Sequence, residues 1–304
     1  MDASALPPEG LADGAFIVPP VTDDNYIVTL LRLCKDYRID ILMPTATLEL
    51  ELMAEHKKLF EENGIKVAVS SFESLEVANN KVALYDKYNE YMPTEIVTSN
   101  PKEAELFYNA VGGDGNMCCK LANLCGGKGF AIVDNTQCYN VSLFGKYGVP
   151  RYLSLKDLQH ILTNGTEVIL QRHIKGNDYS VSVLADHGKI LRIVGYVGYT
   201  MCFGSIMYGE IKKNDSAYAL TEKIVADLQL DGNVAFDFII KEDGTAVLLE
   251  CNPRVNASIS FVKEAGSNLI YLRCLQLLGY PIPQDYSVQY GLKMKKVYES
   301  RYYV

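Results

Sequence analysis

The sequence predicts a mixed α/β (α+β) protein made of more than one compact unit. Three observations lead there. Apolar runs of strand length alternate with helical stripes between residues 14 and 91, the pattern of a parallel sheet covered by helices. From Asn116 onward short strands become frequent, and the alternating segment at 233–252 reads as a hairpin. At 304 residues the chain is long enough to bury two or three cores.

The elements follow in order. GAFIV at 14–18 reads as a short strand stopped by Pro19–Pro20. A helix is expected over about 24–37, where Tyr26, Leu30, Leu33 and Tyr37 share one stripe. A short apolar strand at 39–44 precedes a helix at 48–63, ended by Gly64, and a further strand at 65–69. Residues 73–91 read as one helix ended by Pro93. Strands at 116–122 and 130–133 flank a glycine-rich loop at 126–129. Ser154 has the chemistry of an N-cap for a helix over 154–162, and Asn164–Gly165 that of its stop. Strands at 166–174, 178–185 and 189–197 lead to a helix at 216–229, where Leu220, Ile224 and Leu228 recur at helical spacing. The hairpin and a last helix near 263–278 complete the chain.

Composition narrows the function. A formal net charge of −8, with cations scattered no more densely than pairs such as Lys295–Lys296, argues against gripping nucleic acid or anionic lipid. No stretch approaches the ~20 apolar residues of a membrane span. Met1–Gly10 has no basic segment followed by an apolar one, so no secretory signal is expected. Eight cysteines are too sparse for a disulfide scaffold, and Cys118, Cys119, Cys125 and Cys138 lack zinc-knuckle spacing. Free thiols in a reducing cytoplasm are the expectation.

The segment 233–252 carries the chemistry. Asp243–Gly244 is a strong two-residue turn signal between alternating apolar runs. A turn at that pair places Asp237 and Glu250, equidistant from it, opposite one another with side-chain roots ~5 Å apart. Asn252, two residues beyond Glu250, joins the same face. Facing like charges destabilise a sheet. A hard cation such as Mg²⁺, which takes one or two carboxylates plus phosphate oxygens, compensates them; a solvated acidic face is the plain alternative.

Glu250-Cys251-Asn252-Pro253-Arg254 resembles the acid–x–Asn–Pro–Arg signature of ATP-grasp enzymes, especially the branch related to the large subunit of carbamoyl-phosphate synthase. Asp237 matches the first metal acid of that family. The resemblance runs from about residue 14 to residue 280. It implies an ATP-grasp fold: two α/β subdomains clasping ATP, at 79–170 with a glycine-rich lid loop and at 171–304 with the metal site. A short parallel-sheet pre-ATP-grasp subdomain at 1–78 precedes them, truncated relative to a family that usually begins with another strand, a glycine turn and a helix.

The resemblance also assigns residues. It implies that Asp237, Glu250 and Asn252 hold Mg²⁺ (or Mn²⁺) on ATP, and that Arg254 supports a phosphoryl group or acyl-phosphate. Lys81 resembles the lysine entering the ATP site, and Lys120 the strand lysine that contacts phosphates; a lysine in an apolar strand is rarely buried without a partner. Gly126-Gly127-Lys128-Gly129 resembles the loop that closes over the phosphates, where glycine N–H groups turn to anionic oxygens and Lys128 adds charge. The segment 168–178 looks like the adenine hinge. There Gln171, commonly Glu in the family, and the backbone of Arg172, His173 and Ile174 would meet adenine, while Asp178 meets the ribose hydroxyls. His173 reads as a structural hinge residue rather than a base.

The activity implied is ATP-dependent joining of a carboxylate to an amine or thiol through an acyl-phosphate, with small-molecule partners. A homodimer, or a partner supplying the missing N-terminal element, fits the truncation. Phosphorylation of carbamate or bicarbonate, a regulatory nucleotide-binding subunit and a plain kinase are the rival readings. One departure stands out: relatives often carry an arginine after the hinge, and Val197–Gly204 has no cation, which leaves Arg192 or Lys212 as substitutes.

Overall fold

The computed structural model describes residues 12–121, 129–138, 152–202, 205–297 and 300. The first layer is a two-stranded parallel sheet, β1 (Ile41–Leu42) beside β2 (Lys66–Val67). Helix α1 (Tyr26–Asp36) and helices α2 (Leu50–Glu55) and α3 (Lys57–Glu61) pack around it. Leu30, Met53, Phe60 and Val67 are buried at the centre. The expected strand at 14–18 reduces to a bridge at Ile17, where the following prolines have no N–H pair with which to extend a ladder. The expected helix at 48–63 begins with a 3₁₀ turn at Thr47–Glu49 and is interrupted at His56. There the ring Nδ1 lies 2.9 Å from Leu52 O, the carbonyl to which the His56 N–H also donates.

The single helix expected at 73–91 is two helices, α4 (Phe72–Ala78) and α5 (Lys81–Tyr88), followed by a 3₁₀ turn at Asn89–Tyr91. Asn80 causes the break. Its side chain accepts from the Val82 and Ala83 N–H groups at 3.0 and 3.2 Å, so it caps a new helix and puts Lys81 at the first helical position.

A five-stranded sheet follows, in the order β3 (Glu95–Thr98), β7 (Val168–Arg172), β4 (Met117–Leu121), β5 (Ala131–Val133), β6 (Tyr152–Leu153). The boundary expected at 170/171 falls inside β7. One face of this sheet packs on α6 (Pro101–Ala110) and α7 (Leu155–Thr163) through Met117, Cys119, Val168 and Leu170. Alternation therefore turns Cys118, Lys120 and Gln171 to the other face. Ser154 caps α7 as its sequence suggests, accepting from Asp157 N–H at 3.0 Å.

The larger sheet is antiparallel, in the order β12 (Ala246–Asn252), β11 (Gly232–Ile240), β8 (Asn177–Asp186), β9 (Lys189–Cys202), β10 (Ser205–Ile211), β13 (Lys293–Lys295). Val181, Val183, Phe236 and Phe238 face α8 (Asp215–Asp227) and the Leu84–Tyr88 side of α5. On the opposite face Leu184, Val194 and Tyr196 pack against α9 (Ile259–Glu264) and α10 (Leu269–Leu277). Among the described residues no helix is long and apolar enough to cross a membrane, and no cysteine pair is bonded.

Candidate functional site

The hairpin of β11 and β12 pairs Asp237 with Glu250, but not through the expected turn. The loop has three residues, Glu242–Gly244. It is closed by Lys241 N–H to Thr245 O and Gly244 N–H to Lys241 O, both 3.0 Å, with Gly244 at φ 85°. The inner pairs are accordingly one residue out of the expected register: Ile240↔Ala246, Ile239↔Val247, Phe238↔Leu248. A β-bulge at Leu249 then restores Asp237↔Glu250, Phe236↔Cys251 and Ala235↔Asn252. The bulge reverses the alternation of β12. Leu248 and Cys251 enter the core, while Glu250 and Asn252 point to the face opposite.

Three oxygen-bearing side chains meet on that face. Asn252 Nδ2 donates to Asp237 Oδ2 at 3.1 Å and to Glu250 Oε1 at 3.0 Å. Ser180, on the neighbouring strand β8, donates to Asp237 Oδ1 at 2.6 Å. Burial and the facing Glu250 push the Asp237 carboxyl up from 3.8 to about 7, against the opposing hydrogen bond from Ser180. The cluster is thus short of positive charge, and its donor atoms are the hard oxygens a divalent cation takes. Lys81, brought by the capped start of α5, places Nζ 3.9 Å from Glu250 Oε2. Asp178 lies two residues from Ser180 on β8, on the same face, and its charge adds to the rise at Asp237.

Arg254 leaves the hairpin end and reaches two ways. Its Nη2 donates to Asn252 Oδ1 at 3.2 Å and its Nε to Thr47 Oγ1 of the N-terminal layer at 3.0 Å. Beneath the cluster, Tyr196 is fully buried; its hydroxyl contacts Ser182 Oγ at 2.9 Å and accepts from Asn256 Nδ2 at 2.6 Å.

The five-stranded sheet supplies the second wall. Glu95, Gln171 and Cys118 stand in a row across β3, β7 and β4, with Lys120 two residues along β4. Gln171 Nε2 donates to Glu95 Oε2. Burial raises the Glu95 carboxyl above its ordinary value, opposed by the Gln171 bond and by the charges of Lys120 and Lys81. Lys81 therefore lies beside Glu250 and within electrostatic reach of Glu95. In the hinge, Arg172 N–H donates to Thr94 O and His173 N–H to Asn116 O, both 2.8 Å. His173 Nδ1 lies 2.8 Å from Gly115 O, a structural tether. The Ile174 N–H takes part in no hydrogen bond among the described residues.

Gly126, Gly127 and Lys128 lie outside the described residues; Gly129, at their edge, has φ 73°. Arg192 is committed elsewhere, donating to the carbonyls of Leu191 and Pro283 and lying 4.0 Å over the Tyr286 ring. Lys212 is exposed just beyond β10. Ser180, Glu95 and Thr47 were not legible from motifs, because each enters only through strand pairing or contact between layers. A second acidic grouping, Asp186–His187–Asp231, is already served: Arg273 forks onto Asp231 at 3.1 and 2.7 Å.

Residues 164–300 match a family model described as ATP-grasp in the biosynthetic pathway with Ter operon, and residues 2–68 match the PylC-like N-terminal domain. No curated protein matches the chain in sequence. Among solved structures, the biotin carboxylase domain of Hydrogenobacter thermophilus 2-oxoglutarate carboxylase, with MgADP, ADP and bicarbonate, is 15% identical with TM-score 0.61, covering 89% of this chain and 61% of that one. The Aspergillus clavatus carboxyaminoimidazole ribonucleotide synthase, complexed with ATP, is 14% identical with TM-score 0.65, covering 95% and 71%. The Bacillus licheniformis L-amino acid ligase is 15% identical with TM-score 0.58, covering 86% and 62%. The chain spans only about three-fifths of the biotin carboxylase chains it matches. These matches do not single out the carbamoyl-phosphate synthase branch. The chain has the ATP-grasp fold, and its residues 164–300 are similar to an ATP-grasp family model and its residues 2–68 to the PylC-like N-terminal domain.

Proposed function

We propose that the chain is an ATP-dependent ligase that activates a small-molecule carboxylate as an acyl-phosphate and joins it to an amine or thiol. The observation that carries this reading is the convergence of Asp237, Glu250 and Asn252, with Lys81 3.9 Å from Glu250 and Arg254 on the Asn252 oxygen. Mg²⁺, or Mn²⁺, held by Asp237, Glu250 and Asn252 would neutralise phosphate charge and orient the ATP tail. Lys81 and Lys120 enter the cleft from separate elements, where they attract the phosphates. Asp178 offers two acceptors to a ribose diol, and the Ile174 N–H a donor to the base.

A carboxylate oxygen attacks the γ-phosphorus as the bond to ADP breaks, giving the acyl-phosphate. The amine or thiol then attacks the acyl carbon and phosphate leaves. Arg254, held on the Asn252 amide, is the residue best placed to steady the transferring group. Lys128 and its glycines would close over the phosphates and exclude water. Such chemistry asks mainly for positioning and charge neutralisation. Small-molecule substrates in the cytoplasm suit this reading. So does a homodimer.

Incubation with MgATP and pools of carboxylates and amines, read as phosphate release, tests the reading. ADP and phosphate formed only when both substrates are present supports the ligase. Tight ATP binding without turnover in any pool overturns it in favour of a regulatory subunit. The bicarbonate in the Hydrogenobacter thermophilus neighbour favours one second reading, activation of bicarbonate. ADP formation with bicarbonate as the only cosubstrate identifies it.

A further inference from the structure

The cleft contains a carboxylate that the proposed chemistry does not use. Glu95 sits at the start of β3, directly opposite Gln171 of β7. Gln171 is only 4% exposed, and its Nε2 is committed to Glu95 Oε2. A primary amide presents a donor and an acceptor that exchange when the group turns over, so its neighbours decide which one a ligand meets. An ionised carboxylate only accepts. Burial raises the Glu95 carboxyl above its ordinary value, and the Gln171 bond and the charges of Lys120 and Lys81 oppose that rise. The bond to Glu95 Oε2 holds the Gln171 amide with its nitrogen toward Glu95. The Gln171 Oε1 is used in no hydrogen bond among the described residues, which leaves that acceptor available to a ligand donor. Three residues on, the Ile174 N–H offers the complementary donor.

We infer that Glu95 is a positioning residue for nucleotide selectivity, locking the Gln171 amide so that its oxygen meets an exocyclic amino group on the base. This rests on the ATP-site reading above. An acceptor beside a donor matches a 6-aminopurine, which offers an amino donor next to a ring-nitrogen acceptor. A 6-oxopurine presents the reverse, an oxygen acceptor beside N–H, and leaves the Gln171 oxygen facing another acceptor. The selectivity thus originates on a strand that does not itself touch the base.

The test is calorimetric titration of the full chain with ADP and with IDP in Mg²⁺, for the wild type, Glu95→Gln and Glu95→Met. Glu95→Gln preserves shape but gives residue 95 both donor and acceptor, so the Gln171 amide is free to turn. The expected result is a wild type that prefers ADP. In Glu95→Gln the ADP-to-IDP preference should fall by about tenfold, one hydrogen bond's worth of discrimination. A merely structural role weakens both nucleotides together, and an unchanged ratio in both variants overturns the inference. A wild type that binds ADP and IDP equally also overturns it while leaving the ATP site standing. A wild type that binds neither nucleotide removes the ATP-site reading and this inference with it. Thermal unfolding of each variant shows that it is folded, and Glu95→Gln carries the test if Glu95→Met is not.

Discussion

Replacing Asp237 by Asn should make the metal-free protein more stable at alkaline pH, the reverse of what loss of a buried hydrogen-bonding group usually does. The Asp237 carboxyl has its ordinary value of 3.8 raised to about 7, first by burial and then by Glu250. A carboxyl whose folded value lies above its unfolded value binds more protons in the native state between those two values. Stability therefore falls as pH rises from about 4 to about 7, and the full cost is present above that window. Three pH units correspond to about 4 kcal/mol as an upper bound. Asparagine removes the charge but forfeits one of two bonds, since Oδ1 now accepts from Ser180 and Oδ2 from Asn252. At about 1 kcal/mol for that bond, the net gain at pH 8 is at most about 3 kcal/mol. Urea or thermal unfolding in chelator at pH 4 and pH 8 measures it. The expected pattern is near-equality below pH 4 and a more stable variant at pH 8. A variant less stable than wild type at pH 8 would refute the picture of an undercompensated acid pair.

Ser180→Ala removes the 2.6 Å bond to Asp237 Oδ1, which favours the ionised acid. It should raise the Mg²⁺ concentration needed for half-maximal ATP binding by about tenfold, read by titrating the metal at fixed ATP. Lys81→Met removes the cation 3.9 Å from Glu250 and should weaken MgATP by about tenfold with little change in unfolding midpoint, because the pair is partly exposed. Arg273→Met leaves Asp231 buried without its forked partner and should cost about 3–5 kcal/mol in urea unfolding, far from the cleft.

The pairing of Asp237 with Glu250 was legible in sequence, but for the wrong reason. A two-residue turn at Asp243–Gly244 was expected to set Asp237 against Glu250. The loop is one residue longer, which alone would have set Asp237 against Leu249; the bulge at Leu249 cancels the shift. Turn chemistry is written locally, whereas a bulge depends on which residue the neighbouring core accepts, here Leu248 and Cys251. The break at Asn79–Asn80 was missed because helical apolar spacing continues through it, although Asn80 has the chemistry of a cap. Glu95 and Ser180 belong to no motif: their roles follow from strand order β3–β7–β4 and β11–β8, pairings between segments far apart in sequence. Arg192, a sequence candidate for the missing phosphate cation, is held by the Pro283 and Tyr286 segment, a contact no spacing rule anticipates.

The most direct test of the cleft is ATP affinity of the full chain with and without Mg²⁺, for wild type and Asp237→Asn. If Asp237, Glu250 and Asn252 hold the metal on the phosphates, wild-type affinity rises steeply with Mg²⁺ and the variant loses most of that rise. Equal Mg²⁺ dependence in the two proteins would contradict the assignment.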